Sequence, residues 1–121
     1  MKAEVEPLCR IRDILRSIND FEAEFHAEYG VKLNEGMLLC TLHRMEVCSS
    51  GQIAELLGLS SSNSSKVILS AEKKGLIERA VGSDDRRQMF FRLTARGEEC
   101  IGKIHCNADQ MVGLIEKIRK I

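Results

Sequence analysis

Residues 50–94 read SGQIAELLGLSSSNSSKVILSAEKKGLIERAVGSDDRRQMFFRLT. Two helical patterns come first, from Gly51 to Leu57 and from Ser60 to about Lys74, and a glycine follows each of them. Glycine suits a helix end because it adopts the left-handed backbone conformation without a Cβ clash. Ser49 or Ser50 is placed to cap the first helix, and Ser60 the second. Two short helices joined by a turn that contains glycine predict a helix-turn-helix, whose second helix enters the DNA major groove.

Each of these two helices is predicted to have an apolar inner face. These faces comprise Ile53, Leu56 and Leu57 in the first helix and Val67, Ile68 and Ala71 in the second. The outer face of the second helix is polar in its first turns, with Ser61, Ser62, Asn63, Ser65 and Lys66. Serine is a poor helix former, so helix propensity does not explain this run. Hydroxyls, an amide and a lysine suit contacts with bases and phosphates. A serine-rich loop before an ordinary surface helix remains the alternative at this point.

The sequence after Gly75 predicts a two-stranded hairpin. Residues 76–81 alternate loosely, residues 82–87 form a polar turn, and residues 88–93 contain aromatic strand formers. The turn contains Asp84, Asp85, Arg86 and Arg87. Beside a DNA-reading helix, the arginines would enter the minor groove, and the acids would orient an arginine by a charge-assisted hydrogen bond. A solvated turn whose charges cancel is the alternative.

These motifs, in this order and spacing, resemble the MarR family of winged helix-turn-helix regulators. They are IAELLGLS at 53–60, EKKGLIER at 72–79, DDRR at 84–87 and LTARG at 93–97. The resemblance covers roughly Asn34 to Gly97. It implies that an Asp-x-Arg motif in the wing positions an arginine in the minor groove, and this motif falls on Asp85 and Arg87. Ser64 departs from the family pattern, which usually has an apolar core residue at that position.

Three further helices are predicted outside this region. The first runs from Pro7 to about Tyr29 and has a continuous apolar stripe; the second is capped by Asn34 and is buried in the core. The last helix starts at Thr94 and has a narrow seam, with a possible bend at Gly113. The seam consists of Ile101, Ile104, Ala108, Met111, Ile115 and Ile118. Such a seam is typical of contact between helices of two subunits, although it would also suit a helix that covers its own core.

The composition fits a soluble globular domain, with 44% apolar and 30% charged residues. The formal net charge is zero, but residues 60–92 have seven positive and four negative side chains, a local excess of +3. No apolar run reaches the roughly 18 residues of a membrane span, and the N-terminus lacks the pattern of a signal peptide. We therefore expect a cytoplasmic protein.

The sequence contains no motif that predicts an enzyme, a cofactor or a metal site. Its five cysteines lack the spacing of zinc ligands and are expected to be reduced thiols. The resemblance adds one redox candidate, because some relatives sense oxidants through a cysteine of the first helix, where Cys9 lies.

Together these patterns predict a mainly α-helical protein with a small β-hairpin wing. Residues 1–121 would form one winged helix-turn-helix domain, with a DNA-binding core at 34–94 and dimerisation helices at 7–29 and 95–121. The expected function is that of a homodimeric regulator, most often a repressor, which binds a pseudo-palindromic double-stranded DNA. The resemblance implies release by a small phenolic or lipophilic effector or by an oxidant.

The place to look for such an effector is near Phe21, Phe25 and Met37, although these side chains would equally serve as core. The competing interpretation is a winged-helix module that binds another protein and not DNA. In that case Lys66, Arg86 and Arg87 would form ion pairs within the chain or be covered by a partner.

Overall fold

A computed structural model describes residues 2–80 and 89–121 of the chain, with side chains from residue 6 onward. Its helices are α1 (Lys2–Tyr29), α2 (Leu33–Met45), α3 (Ser50–Leu57), α4 (Ser61–Lys73), α5 (Ala95–Cys106) and α6 (Ala108–Lys120), and its strands are β1 (Cys48–Ser49), β2 (Ile77–Ala80) and β3 (Phe90–Leu93). This arrangement confirms the predicted fold, a winged helix-turn-helix with helices on both sides. No helix within the two described ranges is long and apolar enough to cross a membrane.

The helix-turn-helix consists of α3 and α4, and its predicted caps are confirmed. The Ser49 hydroxyl accepts a hydrogen bond from the Gln52 amide (3.1 Å), while the Gln52 side chain accepts one from the Ser49 amide (2.8 Å). Ser60 caps α4 by accepting from the Asn63 amide (3.1 Å). Gly58 has φ +67°, so the turn between the helices needs a residue that tolerates this conformation.

The wing strands belong to a three-stranded antiparallel sheet with the order β1-β3-β2. Strands β2 and β3 pair as predicted, in a register that places Glu78 opposite Arg92. Strand β1 was not predicted, because two residues are too short to show an alternating pattern. It pairs with β3, and the Ser50 amide donates to the Met89 carbonyl (2.9 Å), which attaches the start of α3 to the sheet. The predicted turn, with Asp84, Asp85, Arg86 and Arg87, lies outside the described residues.

A single core lies between α2, α4, α5 and the sheet. Its buried apolar residues are Phe25, Val31, Leu38, Leu39, Leu42, Cys48, Ile53, Ile68, Ala71, Leu76, Ile77, Phe91, Ile101 and Ile104. Helix α2 is buried on one face only: Leu38 and Leu42 are buried as predicted, whereas Met37 and Met45 are exposed. The prediction for Leu56 was wrong, because its side chain is 56% exposed. Leu56 borders the groove between α2 and α3, where the facing Met37 is exposed as well, so Ile53 is the α3 residue that enters the core.

Two predicted helix starts were wrong. Helix α1 begins at Lys2 and contains Pro7 within it, so proline does not mark its first position. A proline near a helix start removes one backbone hydrogen bond, and the following turns of α1 compensate for this loss. Helix α2 is preceded by Lys32, not by Asn34, because the Glu35 carboxylate accepts a hydrogen bond from the Lys32 amide (2.7 Å).

The predicted C-terminal helix is two helices, α5 and α6, with the break at Asn107 and not at Gly113. Asn107 has φ −108° and ψ 30°, and its side chain donates to the Lys103 carbonyl (3.1 Å). Such local bonds compete with helix continuation. The predicted seam therefore falls on two helices with different surroundings. Ile104 on α5 is buried in the chain's own core, whereas Ile115 on α6 is 53% exposed.

The segment from Thr94 to Gly97 joins the wing to α5 and packs closely against the backbone of Gly75 and Leu76. The Thr94 hydroxyl donates to the Gly75 carbonyl (2.6 Å) and accepts from the Gly97 amide (3.1 Å). Gly97 is buried, and a Cβ at this position would overlap the backbone carbonyl of Leu76. Gly97 is therefore required by the contact between α5 and the end of the helix-turn-helix.

We expect Gly97→Ala to lower the free energy of unfolding by about 2 kcal/mol or more, because the backbone of Leu76 must move. The matched control is Gly102→Ala in the same helix, where an added Cβ meets nothing within 4 Å. This variant should gain roughly 0.5–1 kcal/mol from helix propensity. Urea unfolding followed by circular dichroism measures both changes. Equal stability of the two variants would contradict the close approach.

Candidate nucleic-acid interface

The five residues predicted to face DNA from the second helix all lie on one exposed surface of α4. The side chains of Ser61, Ser62, Asn63, Ser65 and Lys66 are exposed, whereas Ile68 and Ala71 face the core. The cap at Ser60 determines where this surface starts. The exposed polar surface therefore begins at the helix N-terminus, the end that contacts base edges in helix-turn-helix proteins.

Lys66 forms no ion pair within the part of the chain that the structure describes. Two other cations nearby are paired: Arg79 lies 3.4 Å from Glu72, and Arg92 lies 2.9 Å from Glu78 on the adjacent strand. An ammonium without a carboxylate partner is free to bind phosphate. The intramolecular pairing of Lys66 that a protein-binding module could use is therefore not seen among the described residues.

Ser64 lies on the inner face of α4, where an apolar residue was expected from the family pattern. Its side chain is buried, with 2% of the residue exposed, and its hydroxyl has no hydrogen-bond partner among the described residues. A buried hydroxyl without a partner costs free energy. Replacing Ser64 by an apolar residue would therefore remove this cost.

A buried ion pair attaches the other end of α4. The Glu35 carboxylate, in a residue only 1% exposed, accepts hydrogen bonds from the Lys74 ammonium (2.7 Å) and from the Ser70 hydroxyl (2.7 Å). Burial disfavours ionisation of Glu35, but the hydrogen bonds from Lys74, Lys32 and Ser70 outweigh this cost, and the pKa of Glu35 is lowered. The ion pair thus fixes the rotation of α4 about its axis.

Sequence reasoning missed this ion pair. Ser70 and Lys74 are four residues apart and share a helix face, but nothing in the sequence indicates that Glu35 is buried beneath them. A single acidic residue in the first turn of a helix is usually a solvated group that interacts with the helix dipole.

The three residues named for an effector do not line one cavity. Phe25 is buried, with its ring 4.9 Å from the ring of Tyr29 and 5.9 Å from that of Phe21, measured between centroids. Phe21 borders a cleft between α1 and α6, whereas Met37 borders the groove between α2 and α3. Cys9 is half-buried in α1 as a free thiol, and its oxidant sensing remains a prediction.

The sequence model of the MarR family matches residues 31–89, just under half of the chain, which extend from the residues before α2 to the residue before β3. A relative from Bacillus subtilis (strain 168), the uncharacterised HTH-type transcriptional regulator YwaE, is 29% identical over 84 residues, which are 69% of this chain and 49% of YwaE. The chain spans about half the length of this curated relative.

Several solved structures superpose on most of this chain. A mutant MarR from E. coli in complex with operator DNA superposes with a TM-score of 0.80 at 18% identity, over 99% of this chain and 85% of that one. MepR from S. aureus in complex with DNA superposes with a TM-score of 0.77 at 20% identity, over 88% of this chain and 79% of MepR. NadR in complex with 4-hydroxyphenylacetate superposes with a TM-score of 0.71 at 20% identity, over 89% of this chain and 76% of NadR.

We expect Glu35→Gln to lower the free energy of unfolding by about 2 kcal/mol at neutral pH. The variant leaves Lys74 without its anionic partner, and the loss is moderated because Lys74 is partly exposed. The control is Glu98→Gln, which removes an exposed carboxylate paired with His43 and should cost about 0.5 kcal/mol or less.

The pH dependence distinguishes this ion pair from simple packing. Since the pKa of Glu35 is lowered on folding, its contribution is complete above the ordinary value of 4.5 and is lost as pH falls through the folded value. The stability gap between wild type and Glu35→Gln should therefore narrow below pH 4.5. Urea unfolding at matched protein concentration over pH 3–7 measures this difference in the free energy of unfolding. A difference that does not change with pH would contradict the ionic role of Glu35.

Proposed function

We propose that this chain is a DNA-binding transcriptional regulator that acts as a repressor. It binds a pseudo-palindromic DNA duplex as a homodimer. The observation that carries the proposal is the exposed polar surface of α4, with Asn63 and Lys66 on its first two turns and Lys66 unpaired among the described residues. Two proteins of the same fold, MarR and MepR, have been crystallised with DNA.

In this proposal the first and second turns of α4 have different roles. Ser61, Ser62 and Asn63 lie near the capped end, where short hydroxyl and amide groups donate to and accept from base edges. Lys66 lies one turn further along and binds a phosphate or a guanine. Asp85 and Arg87 act from the wing, with Arg87 in the minor groove and Asp85 orienting it; Arg86 adds positive charge.

Homodimerisation is supported by apolar side chains on the terminal helices. The large apolar residues that are more than half exposed on α1 and α6 are Leu8, Ile11, Leu15, Val112 and Ile115. The two helices contact each other within the chain, so these residues belong to one end of the molecule. Grouped apolar exposure of this kind is typical of a protein interface. A two-fold dimer would present two α4 helices to adjacent major grooves, about 34 Å apart.

We further propose that a small phenolic or lipophilic effector releases the DNA. NadR, which shares the fold, has been crystallised with the phenolic acid 4-hydroxyphenylacetate. A protein-binding module without DNA affinity is the competing function, and the DNA measurements below separate the two.

The α4 variants should separate base contacts from phosphate contacts. Asn63→Ala is expected to weaken binding to a duplex enriched by in vitro selection by about 1–3 kcal/mol and to leave binding to random duplex unchanged. If Lys66 binds phosphate, Lys66→Ala should weaken binding to both duplexes. It should also reduce the slope of the log binding constant against log salt concentration by about one. Fluorescence anisotropy at several salt concentrations measures both effects. The control, Lys117→Ala on α6, should change neither.

The wing variants test the positioning role of Asp85. Arg87→Ala should weaken binding to the selected and random duplexes by similar factors, because an arginine in the minor groove acts mainly through electrostatics. Asp85→Ala should also weaken binding, although it removes a negative charge that repels DNA. If Asp85→Ala binds more tightly than wild type, Asp85 does not position Arg87. No salt-dependent binding by any form of the chain would favour the protein-binding module.

The dimer is tested at Ile115, because Ile104 is buried in the core and a charge there would unfold the chain. Ile115→Glu should halve the mass measured by light scattering at micromolar concentration and leave the circular dichroism of the helices unchanged. The matched control is Lys117→Glu on the same helix, which should stay dimeric. A wild-type monomer would end the dimer proposal.

A further inference from the structure

Helix α4 has one large apolar side chain that does not enter the core. Leu69 is 52% exposed, whereas Ile68, its neighbour in the chain, is 6% exposed and packs in the core. The structure describes every residue of α4, and among them Leu69 is the one large apolar residue that is more than half exposed. Burial in the chain's own core therefore does not explain a leucine at this position.

Leu69 lies on the middle line of the outer face of α4. At 3.6 residues per turn, the steps from Ser62 to Lys66, then to Leu69 and then to Lys73 keep these four residues on one stripe. We call them the α4 outer stripe. All four residues are exposed, and the buried residues of the helix lie on its opposite side. Leu69 thus faces the same way as Ser62 and Lys66, which the proposed function places on DNA.

The outer stripe is positively charged on both sides of Leu69. Because an α-helix rises 1.5 Å per residue, Lys66 lies about 4.5 Å and Lys73 about 6 Å from Leu69 along the axis. Neither lysine forms an ion pair within the part of the chain that the structure describes. Glu72, the acidic residue of α4, lies 3.4 Å from Arg79 and is paired with it. Such a stripe suits a partner that carries phosphates.

A single leucine between two lysines favours DNA over a protein as the partner of this stripe. A protein interface needs a contiguous apolar patch, but the stripe neighbours of Leu69 are polar or cationic. The major groove offers an apolar group of matching size, the C5-methyl group of thymine, which proteins recognise by apolar contact. The hydroxyl and amide groups of the first turn of α4 recognise hydrogen-bonding groups instead.

We propose that Leu69 recognises the methyl group of one thymine in each half-site of the DNA. Lys66 and Lys73 hold the outer stripe against the duplex, and the Leu69 side chain packs on the C5-methyl group. Leu69 thereby selects thymine over cytosine at that position. This inference rests on the proposed DNA binding and assigns to it one base preference and the residue that determines it.

Base analogues separate the methyl group from the rest of the base. In a duplex enriched by in vitro selection with the wild-type chain, each thymine is replaced singly by deoxyuridine, which lacks only the C5-methyl group. We expect one position in each half-site at which this replacement raises the Kd about fourfold. This factor corresponds to roughly 0.8 kcal/mol, the value for burying one methyl-sized group. At the same position, 5-methylcytosine should bind about fourfold more tightly than cytosine. Fluorescence anisotropy measures each Kd.

Variants of Leu69 assign the methyl contact to this side chain. Leu69→Ala should raise the Kd for the thymine duplex and abolish the difference between thymine and deoxyuridine at that position. Leu69→Met, which conserves side-chain volume, should keep the difference. The matched control is Leu56→Ala, which removes a similarly exposed leucine (56%) from α3 and should keep the wild-type ratio of the two Kd values.

Three results would overturn the inference: no thymine whose methyl group affects the Kd, the same thymine-to-deoxyuridine ratio in Leu69→Ala and wild type, or an equal loss of this ratio in Leu56→Ala. Any of these results together with salt-dependent DNA binding leaves the proposed function in place. Absence of salt-dependent binding by the wild-type chain would instead reject the proposed function, and the role of Leu69 with it.

Discussion

The placement of α4 depends on the ion pair between Glu35 and Lys74. A buried carboxylate is stable only when donors surround it, and Glu35 has three, from Lys32, Ser70 and Lys74. These donors come from the start of α2 and from the last turns of α4, so one side chain fixes two helices relative to each other. In the first turns of α4 the buried Ser64 hydroxyl has no hydrogen-bond partner among the described residues. The polar contacts of α4 with α2 therefore lie at the end away from its exposed polar surface.

Much of the fold could be predicted because local signals agreed with the tertiary structure. Ser49, Gly58 and Ser60 mark helix ends by chemistry that needs no distant partner, and the structure uses them as predicted. Strand β1 has no such local signal; it exists because Cys48 and Ser49 meet β3. The break at Asn107 was missed because the apolar spacing of the seam continues across it. Spacing alone does not show which part of a seam the chain buries within itself.

The candidate site was predictable only on its exposed side. The polar residues of α4 stand out because serine is unusual in a helix, but Glu35 resembles any acidic residue near a helix start. Its burial results from the packing of α2 against α4, which lies beyond local pattern. The same limit applies to Met37, which is similar in chemistry to Phe21 and Phe25 and yet borders a different groove.

Strand β1 has a consequence for how two copies of this chain would adjust to DNA. Ser49 both caps α3 and pairs with Phe90 of the wing, and Thr94 connects the wing to the end of α4 and to α5. Hydrogen bonds thereby join the start of α3, the wing, the end of α4 and the start of α5 into one unit. Two linked copies of this unit would meet successive grooves at a separation set by the contact between the copies. The length of duplex between half-sites, more than the shape of either unit, becomes the quantity to which such an assembly is sensitive.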